Sequence, residues 1–400
     1  MIADYRQWFN ANFTPEKYQK MIADVNREFD YPVAFKICET PIFISGQLKN
    51  ELGKACAEIL AQINGDDYQA NMHRAVPPQF DVPYDTAQPT FLAVDFAVAR
   101  NPENPELFLP QLIEMQGFPS LYGFQGFISQ KYRQHYQLPP NLSHLFPNEL
   151  QADESRYFEK VKNAILGGYA PENTILLEIE PEKQKTYIDF LCSERYFGIK
   201  SLCITRLRKD GRQLYYEEAG RKIWVERIYN RVIFDELMLR HDLDLHFDFR
   251  DDLEVSWAGH PNWFFKISKF TLPFLKSKYA PETHFLSEMK SIPDDLENYV
   301  LKPLFSFAGA GVKFDVTRQM VESVENPDNY ILMRKVHYAP EVITLDVPAK
   351  AEIRLLLVNT GGKLELLTNL VRLSKGKMMG VDFNKGLDWV GGSIAFFEKE

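Results

Sequence analysis

Residues 90–99, TFLAVDFAVA, read as a strand with an acid, Asp95, inside an otherwise apolar run. The next run, 106–116 (ELFLPQLIEMQ), reads as a second strand, joined to the first by a turn rich in Asn and Pro, RNPENP. On it Glu114 and Gln116 lie two apart and so share one face. Burying neighbouring carboxylates is costly unless a cation or a basic partner compensates. The fold must therefore bring positive charge to this pair of strands, or leave the acids on the solvent face of an antiparallel hairpin.

Three later stretches carry suitable charges. In YVLKPLFSFAGAGV, residues 299–312, Lys302 sits on a strand just before a glycine-containing loop. Such a loop lets several backbone N–H groups approach a phosphate closely. The pattern G-x-x-x-x-G-K-[ST] is absent, and G-x-G-x-x-G fails because Phe314 stands where the third glycine belongs. The stretch GVKFDV alternates as a strand does, so the order is strand, lysine, glycine loop, strand, a flap that folds over a nucleotide. A plain β-hairpin with an outward Lys302 fits the same residues.

In KAEIRLLLV, Glu352 and Arg354 share a strand face, and Arg372 lies on the following strand in LTNLVRLSKG. Two arginines converging beside a lysine suit a transferring phosphoryl group, while surface pairing of Glu352 with Arg372 is the plainer reading. Asn384 and the Gly391–Gly392 pair are weaker candidates for a cleft wall. Tyr229, Asn230 and Arg231 in IYNRV could hold a carboxylate, and an edge strand packing its tyrosine fits better.

The rest of the chain frames these strands. Helices are expected over 15–30, over 46–64 with Ser45 as cap, and over 262–279. Residues 117–150 read as loop plus helix. From 174 the pattern is α/β: strand TILLEIE, helix KTYIDFLCSERYFG, strand KSLCITRL, a hairpin near KDGRQ, and a strand KIWVERIYNRV. The strand-rich part 298–400 follows, with NYVLKPL, GVKFDV, YILMRKV, EIRLLLV and KLELLTNLVRL. At 400 residues two or three lobes are expected: 1–130, 131–260 and 261–400.

With 46 basic and 55 acidic residues the net charge is −9, which argues against a nucleic-acid-wrapping chain. No apolar run reaches the ~20 residues of a membrane span. The N-terminus MIADYRQWFNANF lacks a signal-peptide core, so a cytoplasmic protein is expected. Cys38, Cys56, Cys192 and Cys203 have no zinc-like spacing and read as buried thiols.

VLKPLFSFAGAGV, YILMRKV, EIRLLLV and VRLSKGKMMGVDFNKG together resemble successive pieces of an ATP-grasp domain. The matching metal segment, Asp95 then LIEMQG, comes early, as in the circularly permuted ATP-grasp proteins related to glutathionylspermidine synthase and eukaryotic glutathione synthetase. KISKFTLPFLKSKYAPETHFL resembles the segment with an earlier ATP-contacting lysine, Lys269. The resemblance covers roughly residues 90–125 and 262–400, somewhat under half the chain. It implies a mixed α+β and α/β, circularly permuted ATP-grasp fold with an inserted α/β lobe like a pre-ATP-grasp domain.

It also implies ATP and Mg²⁺ as cofactors. Lys269, Lys302 and a Gly309–Ala310–Gly311 flap would lie on the phosphates, with Met333, Lys335 and Glu352 around the nucleotide. Asp95, Glu114 and Gln116 would hold the metal, and Arg354 and Arg372 would be catalytic. The implied activity is a carboxylate–amine ligase acting through an acyl phosphate, on small substrates of the amino-acid, peptide or polyamine kind, with no nucleic acid or membrane partner. The chain departs from the family at Gln116, where asparagine is usual, at Ala308, where glycine is frequent, and at Arg334–Lys335, where an acid often meets the adenine. A non-catalytic nucleotide-binding protein on the same fold, or a phosphotransferase, therefore remains open.

Overall fold

The computed structural model describes residues 1–305 and 311–400. Its centre is a five-stranded antiparallel sheet in the order Gly391–Ser393, Lys363–Ser374, Lys350–Thr360, Phe91–Arg100, Phe108–Gln116. A hairpin from the first third of the chain is thus hydrogen-bonded to a hairpin from its end. Register puts Arg354 opposite Asp95, Asp95 opposite Glu114, and Glu352 opposite Arg372. The long C-terminal hairpin closes through Gly361 and Gly362, both with positive φ, as a two-residue turn of matching twist requires. The strand Phe91–Arg100 is buried along all but its last residue, which is why it reads as a near-continuous apolar run.

Four further sheets accompany this one among the described residues, the smallest pairing Ile42–Phe43 and Leu142–Ser143 with Ala395–Glu398. A parallel sheet of Ser256–Ala258, Arg227–Asn230, Thr174–Glu178 and Lys200–Cys203 is packed by the helices Arg156–Leu166 and Tyr187–Phe197. A small antiparallel sheet of Thr283–Phe285, Tyr330–Arg334 and Tyr299–Pro303 carries Lys302. A three-stranded meander spans Arg208–Val225.

The N-terminal helices are not set apart. Helices Ala3–Asn12 and Pro15–Glu28 share a core with Tyr122–Tyr136 and with Trp389 and Ile394. Helix Gly46–Ile63, capped by Ser45 through the Leu48 N–H at 3.3 Å, packs on the strand Phe108–Gln116. All four cysteines are free thiols; three are buried and Cys203 is half-buried. No helix among the described residues is long and apolar enough to cross a membrane.

Four expectations change. The helix over 262–279 is a short turn, Trp263–Lys266, followed by a 3₁₀ segment, Lys269–Phe274. Ser268 caps its own chain in a reciprocal box with Thr271, and Pro273 lacks an N–H, so a regular helix cannot run through. KIWVERIYNRV breaks at Glu226 into Arg221–Val225 of the meander and Arg227–Asn230 of the parallel sheet. That second piece is an interior strand, not an edge, although Tyr229 does pack in the core, against Phe91. GVKFDV forms only a bridge, Leu301 to Lys313, because the chain then turns Val316 into a small cluster with Leu301 and Leu332.

Candidate functional site

Period-two alternation places Asp95, Glu114, Glu352, Arg354 and Arg372 on one face of the central sheet. There they form a continuous ion-pair network. Arg354 grips Asp95 with two bonds of 2.6 Å, from Nε and Nη2. Arg372 reaches Asp95 at 2.8 Å and also pairs with Glu352. Arg354 lies 3.6 Å from Glu114, whose other neighbour is the Gln116 amide at 2.8 Å. The Tyr338 hydroxyl donates to Glu352. Nothing in the sequence around Tyr338, VHYAP, marks it, and only the structure brings it here.

Two lysines join from other layers. Lys302, buried on its strand, donates to the Ile113 carbonyl at 3.1 Å, directly beside Glu114. Burial lowers its ammonium to about 8, against the upward pull of the Glu114 carboxylate, and Lys269 pushes it further down. Burial also works against the ionised Glu114, but Lys269, Arg372, Arg354 and Lys302 outweigh it and hold that carboxyl below the ordinary range. Lys269 enters from the 3₁₀ segment that replaced the expected helix. Four cations thus face three carboxylates, and the residual charge is positive.

Glu114, Gln116, Phe118, Ile267, Lys269 and Leu304 line a cavity of about 40 Å³, the room of a water or two. Arg372 is one-third exposed, and its buried Nε has no partner among the described residues. A buried donor left unmatched is costly, so this atom fits an acceptor that binds from outside. An anion next to Arg372 and Lys302 would supply one.

The remaining candidates separate from this cluster. Gly309 and Ala310, with Ala308, lie outside the described residues. Gly311 has φ +75°, and a side chain there would meet Pro303 at 3.1 Å. Met333 is buried in the main apolar core, and the Lys335 ammonium bonds the Glu297 carbonyl. Asn384 staples its own loop. Its oxygen accepts from the Ser374 hydroxyl and the Lys375 and Gly376 amides, and its nitrogen donates to the Met378 and Gly380 carbonyls. Gly391 is required by packing, since a Cβ would lie 2.3 Å from the Lys36 carbonyl oxygen. Arg231 pairs with Asp189 at 3.0 Å inside the parallel-sheet layer.

The fit to a magnesium nucleotide can be judged on these donors. Among the described residues no three His, Cys, Asp or Glu side chains gather to hold a metal by themselves. Asp95 has both oxygens bonded to guanidinium groups. Glu114 and Gln116 are the oxygen donors beside the cavity. One carboxylate plus an amide fits Mg²⁺ when phosphate oxygens and water complete its shell.

No family model matches this chain, and no curated protein matches it. Among solved structures it is similar to a glutathione synthetase-like effector from Globodera pallida, determined in its apo form. The TM-score is 0.54 at 13% identity, over 90% of this chain and 96% of the other. At that identity the likeness is one of fold.

Proposed function

We propose that this protein is an ATP-dependent carboxylate–amine ligase on a circularly permuted ATP-grasp fold. The observation that carries the reading is the Nε of Arg372, without a partner among the described residues, in a cluster where Lys269, Lys302, Arg354 and Arg372 face Asp95, Glu114 and Glu352. The fold likeness to a glutathione synthetase-like protein supports it. Mg·ATP bound there would supply the phosphoryl group that turns a substrate carboxylate into an acyl phosphate, leaving ADP; an amine then attacks the acyl carbon and displaces phosphate to give the amide.

The chain's own residues have defined tasks in this reading. Lys302 and Lys269 bind phosphate oxygens. Glu114 and Gln116 hold the magnesium ion. Arg372, anchored by Glu352, and Arg354, anchored by Asp95, stand fixed where negative charge develops. Such preorganised cations need no rearrangement when the charge appears, which is the main way a site without a covalent nucleophile accelerates the reaction. Little covalent work falls to the protein in this reading.

A second reading is a binding protein on the same fold without turnover. It is favoured by the small cavity and by the engagement of both arginines with carboxylates. Mg·ATP titrated into wild type and Lys302→Ala, followed by thermal unfolding, tests the shared premise. At 100 times the dissociation constant binding adds about 2.7 kcal/mol. A magnesium-dependent shift in wild type that disappears in the variant is expected, and no shift in either overturns both readings. ADP release that requires an amine then separates ligase from binder.

A further inference from the structure

Ile267 lines two cavities. One is the charged cleft; the other, of about 200 Å³, has no part in the proposed reaction. Its floor is the side chains of Ile63, Tyr68, Pro89, Trp263 and Ile267, and its rim carries the exposed amides Asn64, Gln69 and Gln88. The polar ends of the two aromatic residues are engaged elsewhere. The Tyr68 hydroxyl bonds the Lys266 carbonyl and Thr271, and the Trp263 Nε1 donates to Thr86 at 2.8 Å. Both residues are only 2% exposed, so what they turn to the cavity is a small apolar area.

The rim amides keep unmatched capacity among the described residues. Gln69 uses its nitrogen on the Ile63 carbonyl, which leaves its oxygen. Gln88 uses its oxygen, in a long 3.4 Å contact with Asn359, which leaves its nitrogen. No Lys, Arg, His, Asp or Glu is among the residues that line the cavity. A charged guest would therefore lose its hydration without a counter-charge, whereas a neutral one meets both donors and acceptors. An apolar cavity of roughly 150 Å³ already accepts benzene, so this one has room for a ring and a small substituent.

We propose that this cleft is a binding site for a small uncharged ring compound with an amide-like edge. The wall residue Ile267 is held in place, its carbonyl accepting from the Gly117 N–H at 2.8 Å. The site is independent of the ligase reading and needs no nucleotide.

The test is calorimetric titration of the full chain, without nucleotide, using benzamide and benzoate, which match in shape and differ in charge. Benzamide is expected to bind with a dissociation constant on the order of millimolar, as suits a one-ring fragment, and benzoate at least about tenfold more weakly. Ala87→Phe, at an exposed position on the cavity wall, should abolish benzamide binding. Asn64→Ala, which removes only an exposed amide, should weaken it and guards against a folding defect in the first variant. No benzamide binding up to its solubility limit overturns the proposal. So does benzoate binding as tightly as benzamide, or binding that is indifferent to both cavity variants. Binding lost in Lys302→Ala but kept in Ala87→Phe would put the compound in the charged cleft and equally overturn it.

Discussion

The parallel sheet and the central antiparallel sheet each bury an arginine–aspartate pair, and the surroundings of the two pairs differ. Arg231 and Asp189 lie 3.0 Å apart with side-chain exposures of 4% and 0%. Asp189 also accepts the Leu121 and Phe124 N–H groups, both at 2.9 Å, and so fixes the start of the helix Tyr122–Tyr136. The Arg231 guanidinium lies over Phe190 and Phe118. Arg354 and Asp95 pair just as closely, but Arg372 extends their network to solvent, and Lys302 and Lys269 add two further cations that act on Glu114. Among the described residues each region leaves one guanidinium Nε unmatched: that of Arg231 is roofed by aromatic rings, that of Arg372 stands in a partly exposed side chain. The same pair of side chains thus serves as a sealed strut in one sheet and as part of an open, positively biased surface in the other.

That contrast can be broken by deletion of the acids. Asp189→Ala leaves a buried arginine without its carboxylate and two helix N–H groups without an acceptor, and should cost about 3–5 kcal/mol in urea unfolding. Asp95→Ala should cost less, about 1.5–3 kcal/mol, because Glu114 and Glu352 remain to receive the arginines. Equal losses would mean that the open network is as structural as the sealed one, and the distinction would fail.

The sequence shows the parts of the site better than their pairing. A charge within an apolar strand, and two charges at spacing two, identify Asp95, Glu114, Gln116, Glu352 and Arg354 and put them on sheet faces. The register that sets Asp95 opposite Arg354, 259 residues away, depends on how two distant hairpins meet, and nothing local encodes it. Tyr338 lies in a loop without periodicity. Asp189 sits in a helix, where an acid near the first turn is unremarkable until Arg231 is seen beneath it. The helix expected over 262–279 failed where Ser268 and Pro273 override an apolar spacing that otherwise fits. Propensity is local, while capping and proline geometry act at single residues.

Two smaller effects sharpen the comparison. The Lys302 ammonium, lowered by burial to about 8 from 10.5, is charged below pH 8 and neutral above it. Mg·ATP affinity should therefore fall about tenfold as pH rises through 8, the worth of one charge-assisted contact, and Lys302→Met should show no such fall. Stability runs the other way. Between about 8 and 10.5 the unfolded chain holds the proton that the folded chain has released, so wild type gains stability with pH there and the methionine variant does not.

The smallest change in stability is expected for Arg372→Lys. A lysine keeps the charge beside Glu352 but replaces the planar fork by a single ammonium, which cannot hold Glu352, Asp95 and an external anion together. Because Arg372 is partly exposed, unfolding should shift by no more than about 1 kcal/mol. Nucleotide affinity, measured on the same preparation, should drop well beyond that shift. A large loss of stability with unchanged affinity would assign Arg372 to the same structural role as Arg231.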